Sequence, residues 1–198
     1  MIVLGLTGGV GMGKSTAASM LRRMHVPVHD SDEAVHLLLA RGGGAVTSVA
    51  REFPGTLKDG AIDRGALGAR VFADRAALAR LEAILHPRVG AVAQRFLRRQ
   101  RLRRAPVAVL DIPLLFETGG ERRCDAVILV TAPAFLQRRR VLARRGMTEA
   151  RLAAILARQC PDAERRRRAQ FIVPTGLGRG VTFRRLRRVL RGLRAAQS

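Results

Sequence analysis

Gly8-Gly9-Val10-Gly11-Met12-Gly13-Lys14-Ser15, followed by Thr16, fits the pattern G-x-x-x-x-G-K-[ST] without exception. No other feature constrains the fold as tightly, because the pattern works in one local setting: a strand in front and a helix behind. Both are legible. Ile2-Val3-Leu4-Gly5-Leu6 is a short apolar run that predicts a buried strand, and Ser15 to Met24 reads as the helix. Glycines let successive backbone N–H groups turn inward around phosphate oxygens, where a side chain would block approach or forbid positive φ. The helix aims its positive end at the anion. Lys14 reaches the β- and γ-phosphates of a nucleotide, and the Ser15 hydroxyl can ligate Mg²⁺. Gly11, Met12, Gly13, Lys14, Ser15 and Thr16 are therefore the nucleotide-binding candidates. Composition sharpens this. Lysine occurs only at Lys14 and Lys58, every other side-chain cation of the Lys/Arg type being arginine. A compact ammonium fits inside such a loop where a planar guanidinium would not substitute freely.

The rest of the chain supplies the fold class. Val26-Pro27-Val28-His29, Val107–Asp111, Ala126–Val130 and Phe171-Ile172-Val173 are further short apolar runs that predict buried strands. Helical patterns separate them, so the expectation is an α/β protein with a five-stranded parallel sheet covered on both faces. From about 62 to 104 the apolar spacing is helical, interrupted at His86-Pro87, which is expected to break one helix into two. One domain over 1–198 is expected, with core segments at about 1–58, 105–137 and 166–198. A helical insertion would occupy 59–104 and an arginine-rich flap 138–165. The last helix places Phe183, Leu186, Leu190 and Leu193 along one side, which predicts packing against the sheet.

The net charge of +22 suggests a nucleic-acid partner at first sight. The arginines are spread over most of the chain among abundant Ala and Gly, with few aromatics to stack on bases, so no specific nucleic acid is expected. Cys124 and Cys160 lie far apart, with no metal-ligand spacing, and fit a reducing cytoplasm. No run of about 18 uncharged apolar residues occurs, so no membrane span is expected. The N-terminal apolar run has no basic leader and continues directly into the loop, which argues against a signal peptide. A monomer or weak homo-oligomer is expected.

The loop identifies a nucleotide, and the acceptor is argued from elsewhere. In a parallel α/β sheet ligands collect beyond the carboxyl ends of the strands. Asp30 and Asp32 follow the second strand, and Asp111 ends the third. A phosphoryl acceptor hydroxyl needs a carboxylate to orient it and take its proton. Asp32 is the preferred base, with Asp30 able to exchange roles with it, and either could instead cap the next helix. Asp111 could hold the water shell of Mg²⁺ or simply end its strand. In the flap, Arg138-Arg139-Arg140 and Arg144-Arg145 read as one helix, with Arg140 and Arg144 on a shared face. Cations there could neutralise charge on a transferring group, or could be solvated surface residues.

Taken together, these segments resemble the dephospho-CoA kinase family over nearly the whole chain. The carrying stretches are LTGGVGMGKST (6–16), Asp30-Ser31-Asp32, DGAIDRGALGARVF (59–72), LEAILHP (81–87), VLDIPLLFETG (109–119), QRRRVLARRGMT (137–148) and IVPTG (172–176). The resemblance implies a three-layer P-loop kinase fold with a helical substrate-binding insertion and a lid. It also implies an enzyme of the last step of coenzyme A biosynthesis, using Mg-ATP to phosphorylate the ribose 3′-hydroxyl of dephospho-CoA. By position, Asp32 becomes the base, Thr7, His86 and Pro87 line the acceptor site, and Arg140 and Arg144 become lid arginines. Another small-molecule P-loop kinase, for a nucleoside or nucleotide, is the alternative. The family usually carries Ala-Asp before its final core strand and Asn after it, where this chain has Ala169-Gln170 and Thr175.

Overall fold

The computed structural model describes residues 1–72 and 74–195. Strand β1 (Ile2–Thr7) runs through the glycine loop into helix α1 (Lys14–Arg23). Next come β2 (Val28–Asp30), α2 (Ser31–Leu39), α3 (Val46–Glu52) and a small antiparallel pair, β3 (Leu57–Lys58) and β4 (Ala61–Ile62). Helices α4 (Arg64–Val71) and α5 (Arg75–Leu102) lead to β5 (Val107–Asp111). A 3-10 turn at Gly120–Arg123 precedes β6 (Ala126–Thr131). Three helices follow, α6 (Ala134–Leu142), α7 (Glu149–Arg158) and α8 (Asp162–Arg168), then β7 (Phe171–Pro174) and α9 (Arg179–Ala195).

Five strands form one sheet in the order β2-β5-β1-β6-β7. β1 lies between β5 and β6 and runs parallel to both, with Leu4 opposite Val109 and Leu6 opposite Ile128. β7 extends the sheet parallel to β6. The cause is in the residues: β5 and β6 are buried along their whole length, as apolar runs without alternation must be when both faces are covered. Packing comes in compact units, Met1–His29 with Gln100–Ser198, and Asp30–Arg99. In the first, Leu4, Leu6, Val107, Val109, Ile128 and Val130 pack with Ala17, Ala18 and Leu21 of α1 and Leu186 and Leu190 of α9. Phe183 and Leu193 of α9 pack at the margin of this core, so the apolar side of the last helix is covered by the sheet.

The second unit has its own core, built from Leu39, Val49, Phe53, Ile62, Leu67, Val71, Leu81 and Leu85. The helical pattern expected from 62 onward starts later than the sequence suggests. Asp59 and Gly60 both sit at positive φ (50° and 77°) and turn β3 back onto β4. Asp-Gly is the two-residue turn whose twist matches a hairpin, so this pairing was legible in principle. The Asp63 carboxylate then caps α4, accepting from the N–H groups of Gly65 (2.8 Å) and Ala66 (3.1 Å). The bonds from Ala66 and Gly65 hold its carboxyl below the usual carboxylate range.

His86-Pro87 does not divide the helix: α5 runs unbroken over 28 residues with Pro87 inside it. A proline in a helix interior loses one N–H donor and crowds the carbonyl four residues back, at a cost of about 3 kcal/mol. Two features offset that cost. Ala77, Leu81 and Leu85 bury one side of the helix ahead of the proline. Arg88, next to the proline, donates from Nη1 to the Ile84 carbonyl at 2.7 Å, and from Nε and Nη2 to Gly44 O (3.0 Å) and Ser48 Oγ (2.7 Å). The proline leaves the Ala83 carbonyl without its helical donor, and Arg88 adds a donor at the next carbonyl and ties the turn to the neighbouring segment.

Candidate active site

The loop after β1 is shaped by backbone geometry that only glycine takes easily. Gly11 and Gly13 sit at φ 73° and 85°, and Gly13 is the N-cap of α1 with no side chain bonded to the helix's first amides. Those amides are the orphan donors of a helix N-terminus, and no acidic residue occupies the first turn. An anion seated there would meet donors, the helix dipole and Lys14 together. Ser15 is exposed and Thr16 half-buried at the start of the helix, and among the described residues neither hydroxyl is engaged in a hydrogen bond.

The Lys14 ammonium is 2.8 Å from Asp111 Oδ1, with Asp111 buried and Lys14 nearly so. Asp111 ends β5 beside β1, so the two adjacent strand ends join the loop's cation to an acid. Thr7, the last residue of β1, is buried and donates from Oγ1 to the Pro113 carbonyl at 3.1 Å. Met12 is buried too, its sulfur accepting from the Ala132 N–H at 3.0 Å.

Side chains from the arginine-rich segment clamp the loop from outside. Gln137 Nε2 donates to Val10 O (2.8 Å), and Gln159 Oε1 accepts from Val10 N–H (3.3 Å). Arg140 donates from Nη1 to Gly11 O (3.3 Å) and to Thr175 Oγ1 (3.3 Å), and from Nη2 to Thr175 O (3.0 Å). Thr175 in turn donates to Met12 O at 2.7 Å. Gln170, just before β7, accepts from Val127 N–H at 2.8 Å and secures the β6 start.

Arg144 calls for a correction. It does not share a helix face with Arg140: α6 ends at Leu142, and Arg144 lies exposed in the turn beyond it. Its N–H closes a tight turn onto Val141 O, and Gly146 at φ 73° continues that turn, so the chain has left the helix before the second arginine.

In the second unit Asp30 is the N-cap of α2, accepting from the N–H groups of Asp32 (3.0 Å) and Glu33 (3.2 Å). Asp30 does the capping, and the exposed Asp32 carboxylate has no hydrogen bond among the described residues. One turn further on, His36 Nδ1 lies 3.0 Å from Arg64 Nη1. His86 and Pro87 are exposed on α5. Of the residues predicted from sequence, the structure brings Thr7, Gly11 to Thr16, Asp111 and Arg140 together around the loop. Asp32, His86 and Pro87 belong to the other unit. Gln137 and Thr175 lie in stretches that carry the family resemblance but had no contact assigned to them, and Gln159 and Arg165 were not singled out by the sequence.

A dephospho-CoA kinase family model matches residues 2–176. The dephospho-CoA kinase of Paramagnetospirillum magneticum is 64% identical over 166 residues, 84% of this chain and 78% of that protein. That of Mesorhizobium japonicum is 62% identical over 178 residues, 90% and 89% respectively. Among solved structures, TT1252 from Thermus thermophilus superposes with a TM-score of 0.84 at 38% identity, covering 97% of each chain. A dephospho-CoA kinase from Campylobacter jejuni superposes at 0.71 with 24% identity, covering 99% of this chain and 98% of the other, which extends the likeness in fold. With a parallel sheet in the order β2-β5-β1-β6-β7, a glycine loop at the end of its central strand and a family match over nearly all its length, the chain belongs to the dephospho-CoA kinase family.

Proposed function

We propose that this chain transfers the γ-phosphoryl of ATP to the ribose 3′-hydroxyl of dephospho-CoA, giving CoA and ADP. The observation that carries the reading is the loop Gly8–Thr16, with its uncapped helix end and Lys14, in a chain of this family. The hydroxyl oxygen bonds to the γ-phosphorus as the β,γ-bridging P–O bond breaks, and the electron pair of that bond leaves on ADP. The hydroxyl proton passes to the Asp32 carboxylate, which is available because Asp30 has taken the cap. Loop amides and Lys14 are placed for charge on the transferring group, where preformed donors lower the barrier most. Thr7, His86 and Pro87 border the acceptor, with 59–104 as the acceptor-binding insertion and 138–165 as a lid. Arg140 shapes the loop, and Arg144 meets the phosphates from the turn after α6.

The donor chemistry fits Mg²⁺. An exposed hydroxyl at Ser15 and a carboxylate at Asp111 are hard oxygen ligands of the kind it takes with substrate phosphates and water. When bound, it would neutralise negative charge on the phosphates. The free thiols of Cys124 and Cys160 suit a reducing cytoplasm, and no described helix is long and apolar enough to cross a membrane. We place the reaction in the cytoplasm, carried out by a monomer or weak homo-oligomer. The test is acceptor-dependent ADP release, read with product mass, across dephospho-CoA, nucleosides, nucleoside monophosphates and RNA. Turnover of dephospho-CoA with a one-phosphoryl mass gain is expected. Turnover of AMP with none of dephospho-CoA would overturn the reading.

A further inference from the structure

Arg165, on α8, is a cation that neither the flap pattern nor the family resemblance singles out. Its side chain is only 6% exposed. Buried arginines are ordinarily paired, because an uncompensated charge in the interior is costly. Arg165 is poorly compensated. Its acid, Asp162, lies 3.5 Å from Nη2 and is itself engaged at 2.5 Å by Arg166 Nε. The buried Nε–H of Arg165 has no acceptor, the one arginine nitrogen in that condition among the described residues.

The guanidinium lies against the phosphate loop. A Cβ built on Gly9 would fall 2.7 Å from Nη1, 3.1 Å from Nη2 and 3.3 Å from Cζ. Glycine at position 9 is what lets the guanidinium approach the loop backbone. The other arginine at the loop is committed to protein acceptors, since Arg140 donates to Gly11 and Thr175, while Lys14 shares its charge with Asp111. A triphosphate entering the loop therefore meets the Nη edge of a guanidinium whose charge is only partly matched and whose Nε–H is unfilled. Its planar fork suits the non-bridging oxygens of a phosphoryl group.

We propose that Arg165 is a further catalytic residue, donating to the terminal phosphoryl group of ATP while remaining a guanidinium throughout. The inference rests on the kinase reading above. Arg165 lies against Gly9 in the same loop as Lys14, whose reach to the β- and γ-phosphates makes the terminal group the one assigned to this arginine.

Arg165→Gln and Arg165→Lys are compared with the parent chain for kcat, for KM, and for binding of ADP and a non-hydrolysable ATP analogue. In Arg165→Gln, kcat should fall roughly 10²- to 10³-fold, the loss associated with one donor to transition-state charge. Affinity for the analogue should fall while ADP affinity stays within about threefold, since the group that Arg165 contacts is absent from ADP, and Arg165→Lys should recover part of the rate. A kcat within threefold of the parent, or equal losses for ADP and the analogue, would overturn the proposal. Should Arg165→Gln not fold, the parent answers through its arginine Nε–H NMR signals, with Arg165 assigned by its disappearance in Arg165→Lys. That signal should shift with the analogue and not with ADP, and an equal response to both would refute the assignment. Failure of the parent to use dephospho-CoA would sink the kinase reading and leave the ADP comparison intact.

Discussion

Removing Lys14 should cost stability as well as activity, and the size of the loss follows from its partner. Lys14 Nζ lies 2.8 Å from Asp111 Oδ1, and the two side chains are 15% and 2% exposed. Breaking a buried pair by deleting one member leaves a charge without its counter-ion and typically costs 3–5 kcal/mol. The partial exposure of Lys14 argues for the lower end, about 3 kcal/mol. For a chain of 198 residues each kcal/mol moves the melting point by about 2–4 °C, so Lys14→Ala should melt roughly 6–12 °C below the parent. Adding Asp111→Asn to that variant neutralises the buried acid and should restore part of the loss, because part of the penalty comes from a buried carboxylate that has lost its lysine. Activity should not follow stability. Both variants lack the ammonium that faces developing charge, and kcat should stay down by at least about 10²-fold in each. Urea unfolding at constant m-value measures the first quantity and ADP release the second. A Lys14→Ala protein melting within about 2 °C of the parent, or a double variant no more stable than the single, would refute the reasoning.

Asp32→Asn should lower kcat far more than it raises KM for ATP, with melting unchanged because Asp30 holds the cap; a normal kcat would remove Asp32 from the chemistry. Arg140→Ala removes donors to Gly11 and Thr175 and should destabilise the chain by about 1–3 kcal/mol. Arg144→Ala, made at an exposed turn, should leave stability within about 0.5 kcal/mol and lower turnover, whereas Arg187→Ala on α9 should change neither; equal kinetic effects at 144 and 187 would exclude Arg144 from the reaction. Burial, with Asp125 and Glu121 adding to it, pushes the Cys124 thiol up to about 11 from 9.0. The folded chain keeps a proton that the unfolded chain releases, so stability should fall as pH rises from about 9 to about 11 and level off above. Cys124→Ala should flatten that slope, and an unchanged slope would assign it to other groups.

Local features were legible without coordinates. The glycine loop, the strand before it and the helix after it are set by neighbouring residues, since positive φ at Gly11 and Gly13 and an apolar run need no distant partner to be recognised. The other core strands were readable for the same reason: β5 and β6 are apolar throughout because both faces are covered. The acids at 30 and 32 could be found but not told apart, because a capping carboxylate and a free one share the same helix-start pattern until hydrogen bonds are seen.

Tertiary structure decided the rest. Pro87 was read as a break because proline opposes a helix locally, yet burial on one side and Arg88 at the Ile84 carbonyl hold α5 together. Lys14 meets an acid 97 positions away, and Val10 is held by a glutamine 149 positions away. In a chain so rich in arginine, sequence cannot say which guanidinium is solvated, which clamps a loop and which is buried with one donor unfilled. That depends on where the sheet carries β5, β6 and β7, since burial and pairing are properties of the packed chain rather than of its neighbours in sequence.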